Sequence, residues 1–332
     1  MRCIVDKGHD PYFNLAAEEY LLKHCTEPIF RLWRNAPSVI IGKNQNAAAE
    51  INGQFIHQNN IPVVRRLSGG GAVFHDLGNI NFTFIDKKVE GEDTSAMFAR
   101  FTAPIIAALR KLGVEAYLEG RNDLLIDGKK FSGNAICVYR DRVLQHGTLM
   151  FSASISDLSG ALNARPEKFV GKGVQSTRSR VTNISQHLPT PMEIGDFIQY
   201  IYSEVAKEEG ASDYTPAELE KIQALYEEKY STNEWNFGVS PKYTFSNSVK
   251  LPSGFIEVYL NVEKGIIQEC RIHGDYFFTA PTSELEARLV GVLNRYDDIF
   301  AAVSDIDLNS YISGVTPEEF TELIQTSSRL LD

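Results

Sequence analysis

The 332-residue chain has too little cysteine, too widely scattered, to be held together by sulfur: Cys3, Cys25, Cys137 and Cys270 form no CxxC pair. This leaves neither a disulfide framework nor a zinc knuckle, and reduced thiols are expected. No run of about 18 apolar residues occurs, so no membrane-spanning helix is expected. Residues 1–11 mix charge with turn formers and do not read as a signal peptide, which points to a cytoplasmic protein. Basic charge is in deficit, 33 Lys and Arg against 43 Asp and Glu, for a net charge of −10. Nucleic-acid binding normally needs the opposite, a basic face that displaces phosphate counterions. Fixed-period repeats and low-complexity segments are absent as well. With 43% hydrophobic and 23% charged residues, what remains is an ordinary folded protein, long enough for one large and one small domain.

Periodicity supplies the elements. Asn14 reads as the cap of a helix through Cys25, with Ala17, Leu21 and Cys25 on one face. Apolar runs at residues 29–33, 39–41, 61–64 and 80–85 read as strands, the last alternating Ile80, Phe82 and Phe84 against Asn81 and Thr83. Residues 94–112 read as a helix ended by Gly113, with Pro104 expected to kink or break it. Asp127-Gly128 marks a hairpin with a type I′ turn, and a second hairpin follows through residues 140–142. Thr190-Pro191-Met192-Glu193, Thr215-Pro216-Ala217-Glu218 and Thr316-Pro317-Glu318-Glu319 each place threonine at a helix cap, proline first and glutamate third. Beyond Asn236 the strand pattern returns, with residues 255–262 and 265–272 as a hairpin and helices from about Thr282. The expected division is a domain of residues 1–245 and another of 246–332.

Charge is uneven along the chain. Residues 165–181 hold five bases (Arg165, Lys168, Lys172, Arg178, Arg180) against Glu167, whereas residues 284–332 hold ten acids and three bases. An anionic ligand would sit by the former. The most informative stretch is Arg65-Arg66-Leu67-Ser68-Gly69-Gly70-Gly71-Ala72-Val73-Phe74-His75-Asp76, between two expected strands. Three consecutive glycines weaken a strand, so something must approach the backbone closely. Exposed N–H groups there suit phosphate, and Arg66 adds a permanently charged fork. The block is neither a P-loop nor a dinucleotide fingerprint. Gly120-Arg121-Asn122-Asp123 and Gly128-Lys129-Lys130-Phe131-Ser132-Gly133-Asn134-Ala135 place Asp123 and Lys130 on paired strands of one hairpin, able to share a cleft. His146-Gly147-Thr148-Leu149 adds a titratable ring. Taken singly, such a lysine is ordinarily solvated and such a histidine structural.

Together with Ser179-Arg180-Val181-Thr182-Asn183 and Glu234-Trp235-Asn236-Phe237, these blocks resemble, in this order, the lipoate-protein ligase A family over about residues 10–332. The resemblance implies an α/β (α+β) fold: a mixed β-sheet flanked by helices in a biotin/lipoate-ligase-like catalytic domain, with a small α/β C-terminal accessory domain. It implies ATP-dependent formation of lipoyl-AMP and transfer of the lipoyl group to a lysine of lipoyl domains of 2-oxoacid dehydrogenase acyltransferase subunits or of the glycine cleavage H protein, by a monomer. By resemblance, Arg66 and Gly71, Ala72, Val73 and Phe74 hold ATP, and Lys130 contacts both nucleotide phosphate and lipoyl carboxyl. Asp123 matches a position near Mg2+ and phosphate, while Ser68 and His146 match positions near the lipoyl-adenylate. One departure is Cys137, seven residues past Lys130, where some members carry arginine. A cysteine-dependent octanoyl or lipoyl amidotransferase is the alternative, but Ala135-Ile136-Cys137-Val138-Tyr139 reads as a buried strand where a thiol is inert. The GRGRxGR loop of biotin-protein ligases is absent. The C-terminal domain is expected to move between activation and transfer.

Overall fold

The computed structural model describes residues 1–45, 47–162, 181–207, 209–237, 245–251, 254–263, 265–294, 296–325 and 328–329; the basic stretch 165–180 and the segment 238–241 lie outside the described residues. The strands of the larger part are β1 (Arg2–Val5), β2 (Ile29–Trp33), β3 (Ser38–Ile41), β4 (Val63–Arg65), β5 (Val73–His75), β6 (Asn79–Lys87), β7 (Ala116–Glu119), β8 (Asp123–Ile126), β9 (Lys129–Tyr139) and β10 (Arg142–Met150). Seven of them form a sheet in the order β1-β2-β6-β10-β9-β8-β7, and three form a smaller sheet, β4-β3-β5. Both sheets are mixed, since β1–β2 and β3–β4 pair in parallel and the remaining pairs are antiparallel.

The alternation in β6 has a different outcome from the usual core-and-solvent division, because both faces of the strand are buried. Ile80, Phe82 and Phe84 join the core beneath helices Thr94–Lys111 and Ile194–Ala206. Asn81 and Thr83 point the other way, toward helix Pro11–His24 and the smaller sheet, where a polar floor is needed.

Three expectations are corrected. Helix Pro11–His24 is capped by Asp10, whose side chain accepts from Tyr12 N and Phe13 N, and proline takes the first position. Asn14 is instead buried within the helix, where its side chain accepts from Arg31. Helix Thr94–Lys111 runs unbroken through Pro104. The Thr190-Pro191 signal lies ahead of its helix, which begins at Ile194 with Glu193 as cap; the intervening Met192 is laid against the core first. The other two signals start helices as expected, with reciprocal Thr215–Glu218 and Thr316–Glu319 bonds.

The remaining strands, β11 (Phe245–Leu251), β12 (Gly254–Glu263), β13 (Ile266–Gly274) and β14 (Ser328–Arg329), form an antiparallel sheet in the order β13-β12-β11-β14. It has its own core, with Val258, Leu260, Leu285, Ile299 and Phe320 among its members. It meets the larger part at the end of β13 and just beyond it: Gly274 N donates to Asn44 O at 2.7 Å, and the Phe277 ring lies 5.4 Å from that of Phe98. No helix among the described residues is long and apolar enough to cross a membrane.

One ion pair ties the chain's start to a distant helix. Arg2 grips Glu218 with two donors, at 2.6 and 2.9 Å, beside the Thr215 capping box. The Arg2 hydrogen bond, aided by Thr215, lowers the Glu218 pKa from 4.5 to about 2. The folded value lies below the unfolded one, so this stabilisation is complete above pH 4.5 and is lost as pH falls from there to about 2. Glu218→Gln should therefore lower stability at neutral pH and flatten its decline through that acid window, as measured by urea unfolding at stepped pH. Parallel curves for the two proteins would contradict the assignment.

Candidate active site

Asp127 and Gly128 both adopt positive φ, 50° and 73°, and close β8 onto β9 as a tight hairpin. The register then slips: Leu124 faces Ser132 but Leu125 faces Lys130, leaving Phe131 as the extra residue of a bulge. The two-residue turn itself puts Lys130 opposite Leu125, on the face of the sheet that carries Asp123. The bulge brings Gly133 opposite Asp123 and so onto that same face. Lys130 Nζ reaches Asp123 Oδ1 at 2.7 Å, with the two side chains 40% and 38% exposed. A third segment pins the lysine backbone, as Val181 bridges Lys130 in parallel and Thr182 N donates to its carbonyl at 2.9 Å. Ser179 and Arg180 of that motif lie outside the described residues.

The glycine loop is held from within. Arg66 is buried inside it, donating through Nη2 to the carbonyls of Gly69 and Gly71 (2.7 and 2.9 Å), through Nε to Ser68 Oγ (3.0 Å) and through Nη1 to Ile40 O (3.2 Å). Burial lowers its pKa to about 10, with only distant help from Glu18 and Asp275. Gly42 and Gly69 are glycines for closeness, since a Cβ on either would collide with a carbonyl, that of Gly70 or that of Tyr276. Arg65 clamps the strand ahead of the loop. Its guanidinium gathers the carbonyls of Gly42, Lys43, Gln45, Trp235 and Asn236, and Trp235 Nε1 and Asn236 Oδ1 bond back to its own main chain. The Trp235-Asn236 motif thus acts on the loop's foundation.

A buried relay crosses the sheet behind the loop. Arg31, Thr83 and His146 are neighbours in register on β2, β6 and β10, and Glu18 of helix Pro11–His24 descends onto them. Glu18 accepts from Thr83 Oγ1 at 2.5 Å and lies 2.9 Å from His146 Nδ1, while His146 Nε2 is 2.6 Å from Ser68 Oγ. Burial alone would raise the Glu18 pKa, but His146 and then Arg31 outweigh it and hold the carboxyl below the ordinary range. Trp33 Nε1 donates to Thr83 Oγ1 at 2.9 Å and closes the relay. Glu18 and Trp33 were not singled out from the sequence. The available signal was two adjacent acids, Glu18 and Glu19, inside a helix that is otherwise mostly apolar.

These pieces enclose a cleft of about 630 Å³ of empty space, part of it open to solvent. Lys130 and Asn122 stand toward its rim, and buried Leu15, Trp33 and Ile40, with half-buried Val73, make an apolar slot. Arg66, Gly71, Ala72 and His146 also line it. Of the other expected residues, Phe74 turns into a separate core with Val39 and Ile41, and Ser68 is fully buried behind Arg66 and His146. Cys137 is buried on β9, where burial pushes its thiol up to about 11. It is no nucleophile there. A cation at the rim, an ordered loop beside it and an apolar slot suit an acid with a long apolar tail that meets a phosphate.

Residues 10–206 match the lipoyl protein ligase A/B catalytic domain, and residues 240–324 match the bacterial lipoate protein ligase C-terminus. The chain is 42% identical over 323 residues to lipoate-protein ligase LplJ of Bacillus subtilis, covering 95% of this chain and 97% of that one. It is similar to P. falciparum LipL1 in complex with lipoate (TM-score 0.74, 25% identity, 98% of each chain). It is also similar to a lipoate-protein ligase A bound with ATP (TM-score 0.63, 28% identity, 72% of this chain and 99% of that one). Fold and cleft are those of a ligase that acylates protein. The chain belongs to the lipoate-protein ligase family, an ATP-dependent class of enzyme.

With its thiol titrating near 11, Cys137 should resist iodoacetamide in the folded protein at about pH 8 and react once the chain is unfolded. Mass spectrometry of the alkylated peptide checks this. Rapid labelling of the native protein would reopen the amidotransferase alternative.

Proposed function

We propose that the protein joins lipoate to an acceptor lysine in two steps at the Lys130 end of the cleft. The observation that carries this reading is the Lys130–Asp123 pair, 2.7 Å apart, set between the glycine loop and an apolar slot. A lipoate carboxylate oxygen attacks the α-phosphorus of ATP, the bond to the bridging oxygen breaks, and pyrophosphate leaves lipoyl-AMP behind. Both reactants are anions. Lys130 offsets their repulsion, with Arg66 and the main chain of Gly71, Ala72, Val73 and Phe74 holding the nucleotide, and fixed charge in a partly dry site stabilises the transition state strongly. Leu15, Trp33, Ile40 and Val73 take the tail. Ser68 and His146 back the lipoyl-adenylate. The amine of the acceptor lysine then attacks the carbonyl carbon, the bond to the phosphate oxygen breaks, AMP departs, and the amine proton passes to solvent.

Magnesium fits as a companion of the nucleotide. Among the described residues no three His, Cys, Asp or Glu side chains could hold a metal by themselves. Asp123 supplies the single carboxylate that Mg2+ accepts when phosphate oxygens complete its shell. Bound there, the ion would offset phosphate charge. The proposed acceptors are lipoyl domains of 2-oxoacid dehydrogenase acyltransferase subunits and the glycine cleavage H protein, met by a cytoplasmic monomer. The division into residues 1–245 and 246–332 belongs to the same reading, supported by two family matches and by a separate second core.

Lipoate-dependent exchange of radioactive pyrophosphate into ATP, with and without an apo lipoyl domain, tests both steps. Lys130→Ala should slow adenylation by at least roughly 10²–10³, the usual effect of losing one preorganised donor. Lys129→Ala should be mild, because the neighbouring side chain points to the opposite face. Near-normal exchange by the Lys130 variant would sink the assignment.

The second part covers the glycine loop through Tyr276 and Phe277, so a folded acceptor needs it displaced. Solution scattering should differ between the free enzyme and its complex with a non-hydrolysable lipoyl-adenylate analogue. Identical profiles, with full two-step activity in a protein cross-linked across the two parts, would rule the displacement out.

A further inference from the structure

One cation beside the cleft is unused by the chemistry described so far. Arg121 stands on the turn that joins β7 to β8, two residues ahead of Asp123 and next to Asn122, which lines the cleft. The residue is half-buried, and its guanidinium lies over the ring of Phe277, 4.3 Å from the centroid. Phe277 belongs to the second part of the molecule and packs between Phe98 and the glycine loop, where its ring would meet a Cβ on Gly70 at 3.6 Å. One ring thus holds both Arg121 and the loop.

The surrounding charge keeps this guanidinium in place. Burial lowers the Arg121 pKa, and Asp275 and then Asp123 pull against that effect. Asp123 also holds Lys130 at 2.7 Å, so two cations answer to one carboxylate along the rim. Activation asks for both. When the bond from the α-phosphorus to the bridging oxygen breaks, its electron pair goes to that oxygen, and negative charge grows on the departing pyrophosphate. Lys130 is by then engaged with the lipoate carboxylate and the α-phosphate. Arg66 is turned inward, giving its donors to Ser68, Ile40 and the carbonyls of Gly69 and Gly71. A second planar fork, able to span two phosphate oxygens, is what the leaving group requires.

We propose that Arg121 binds the β- and γ-phosphates of ATP and takes up the charge that develops on pyrophosphate, with Phe277 as the platform that positions it. This deepens the ligase reading and rests on it. The second part then serves activation as well as covering the loop. Its displacement withdraws the Phe277 platform once pyrophosphate has left, when no β-phosphate remains to be held.

The test is calorimetric binding of ATP and of AMP, with magnesium present, to the full chain without lipoate. Arg121→Ala should weaken ATP roughly ten- to a hundredfold, the effect of losing charge-assisted hydrogen bonds, and leave AMP within about twofold. In pyrophosphate exchange the same variant should raise the KM for pyrophosphate by a similar factor. Phe277→Leu keeps the bulk and removes the π face, so it should reproduce the split between ATP and AMP at a few-fold level. Should either variant fail to fold, the wild type decides: the 15N signal of Arg121 Nε should shift on adding pyrophosphate and not on adding lipoate. ATP and AMP weakened equally, ATP binding unchanged in Arg121→Ala, no split in Phe277→Leu, or an Arg121 signal unmoved by pyrophosphate would overturn the assignment. Absence of lipoate-dependent exchange in the wild type, with the split between ATP and AMP intact, would instead strike the ligase reading alone.

Discussion

A guanidinium taken out of water must be given acceptors on all sides, and three such groups organise the larger part of this protein. Arg31, fully buried, holds Asp6 at 2.5 Å and both oxygens of Asn14, fixing helix Pro11–His24 on the sheet and with it the depth at which Glu18 reaches His146. Arg65 draws five carbonyls from two remote segments to the foot of the glycine loop. Arg66 folds the loop around itself. The first has a carboxylate partner and its pKa is raised; the third has none in contact and is lowered to about 10. That difference matches their positions, one closed in the core and one lining the cleft, where further negative charge from a ligand would be welcome.

Local chemistry was legible in the sequence wherever a single residue type dictates backbone shape. Asp127-Gly128 made its hairpin, Gly113 ended its helix with φ of 79°, and Thr215 and Thr316 capped theirs. Long-range choices were not. Asn14 and Asp10 are both good caps in isolation, and burial beside Arg31 decided between them. Pro104 is tolerated inside an unbroken helix, which propensity alone does not foresee. Asp123 and Lys130 were expected to share a cleft because they flank one turn, and that turn sets both on one face; the bulge that brings Gly133 to the same face has no local signature.

The candidate site was readable as motifs and unreadable as a network. Ser68, His146 and Arg66 stood out in blocks, but Glu18, which joins His146 from 128 residues away, carried no motif. The glycine block illustrates the same limit. Its run of small residues signalled a close approach, and part of that approach comes from the main chain at Tyr276, in the other half of the molecule. Asn81 and Thr83 alternate with phenylalanines as solvent-facing residues would, though they pave a buried polar floor. A polar position that is buried cannot be told from an exposed one until its partners are known.

The extra residue at Phe131 gives the hairpin a property that side-chain substitution cannot imitate. Facing in a strand is binary, and an unpaired residue lets the chain absorb an odd count without changing any pairing: Lys130 stays opposite Leu125 on the side of the turn, Gly133 stays opposite Asp123, and Phe131 takes up the difference between them. The stretch is thus a slack point in the ladder, where the spacing between the lysine and the rest of β9 is set by one residue that pairs with nothing across the strand.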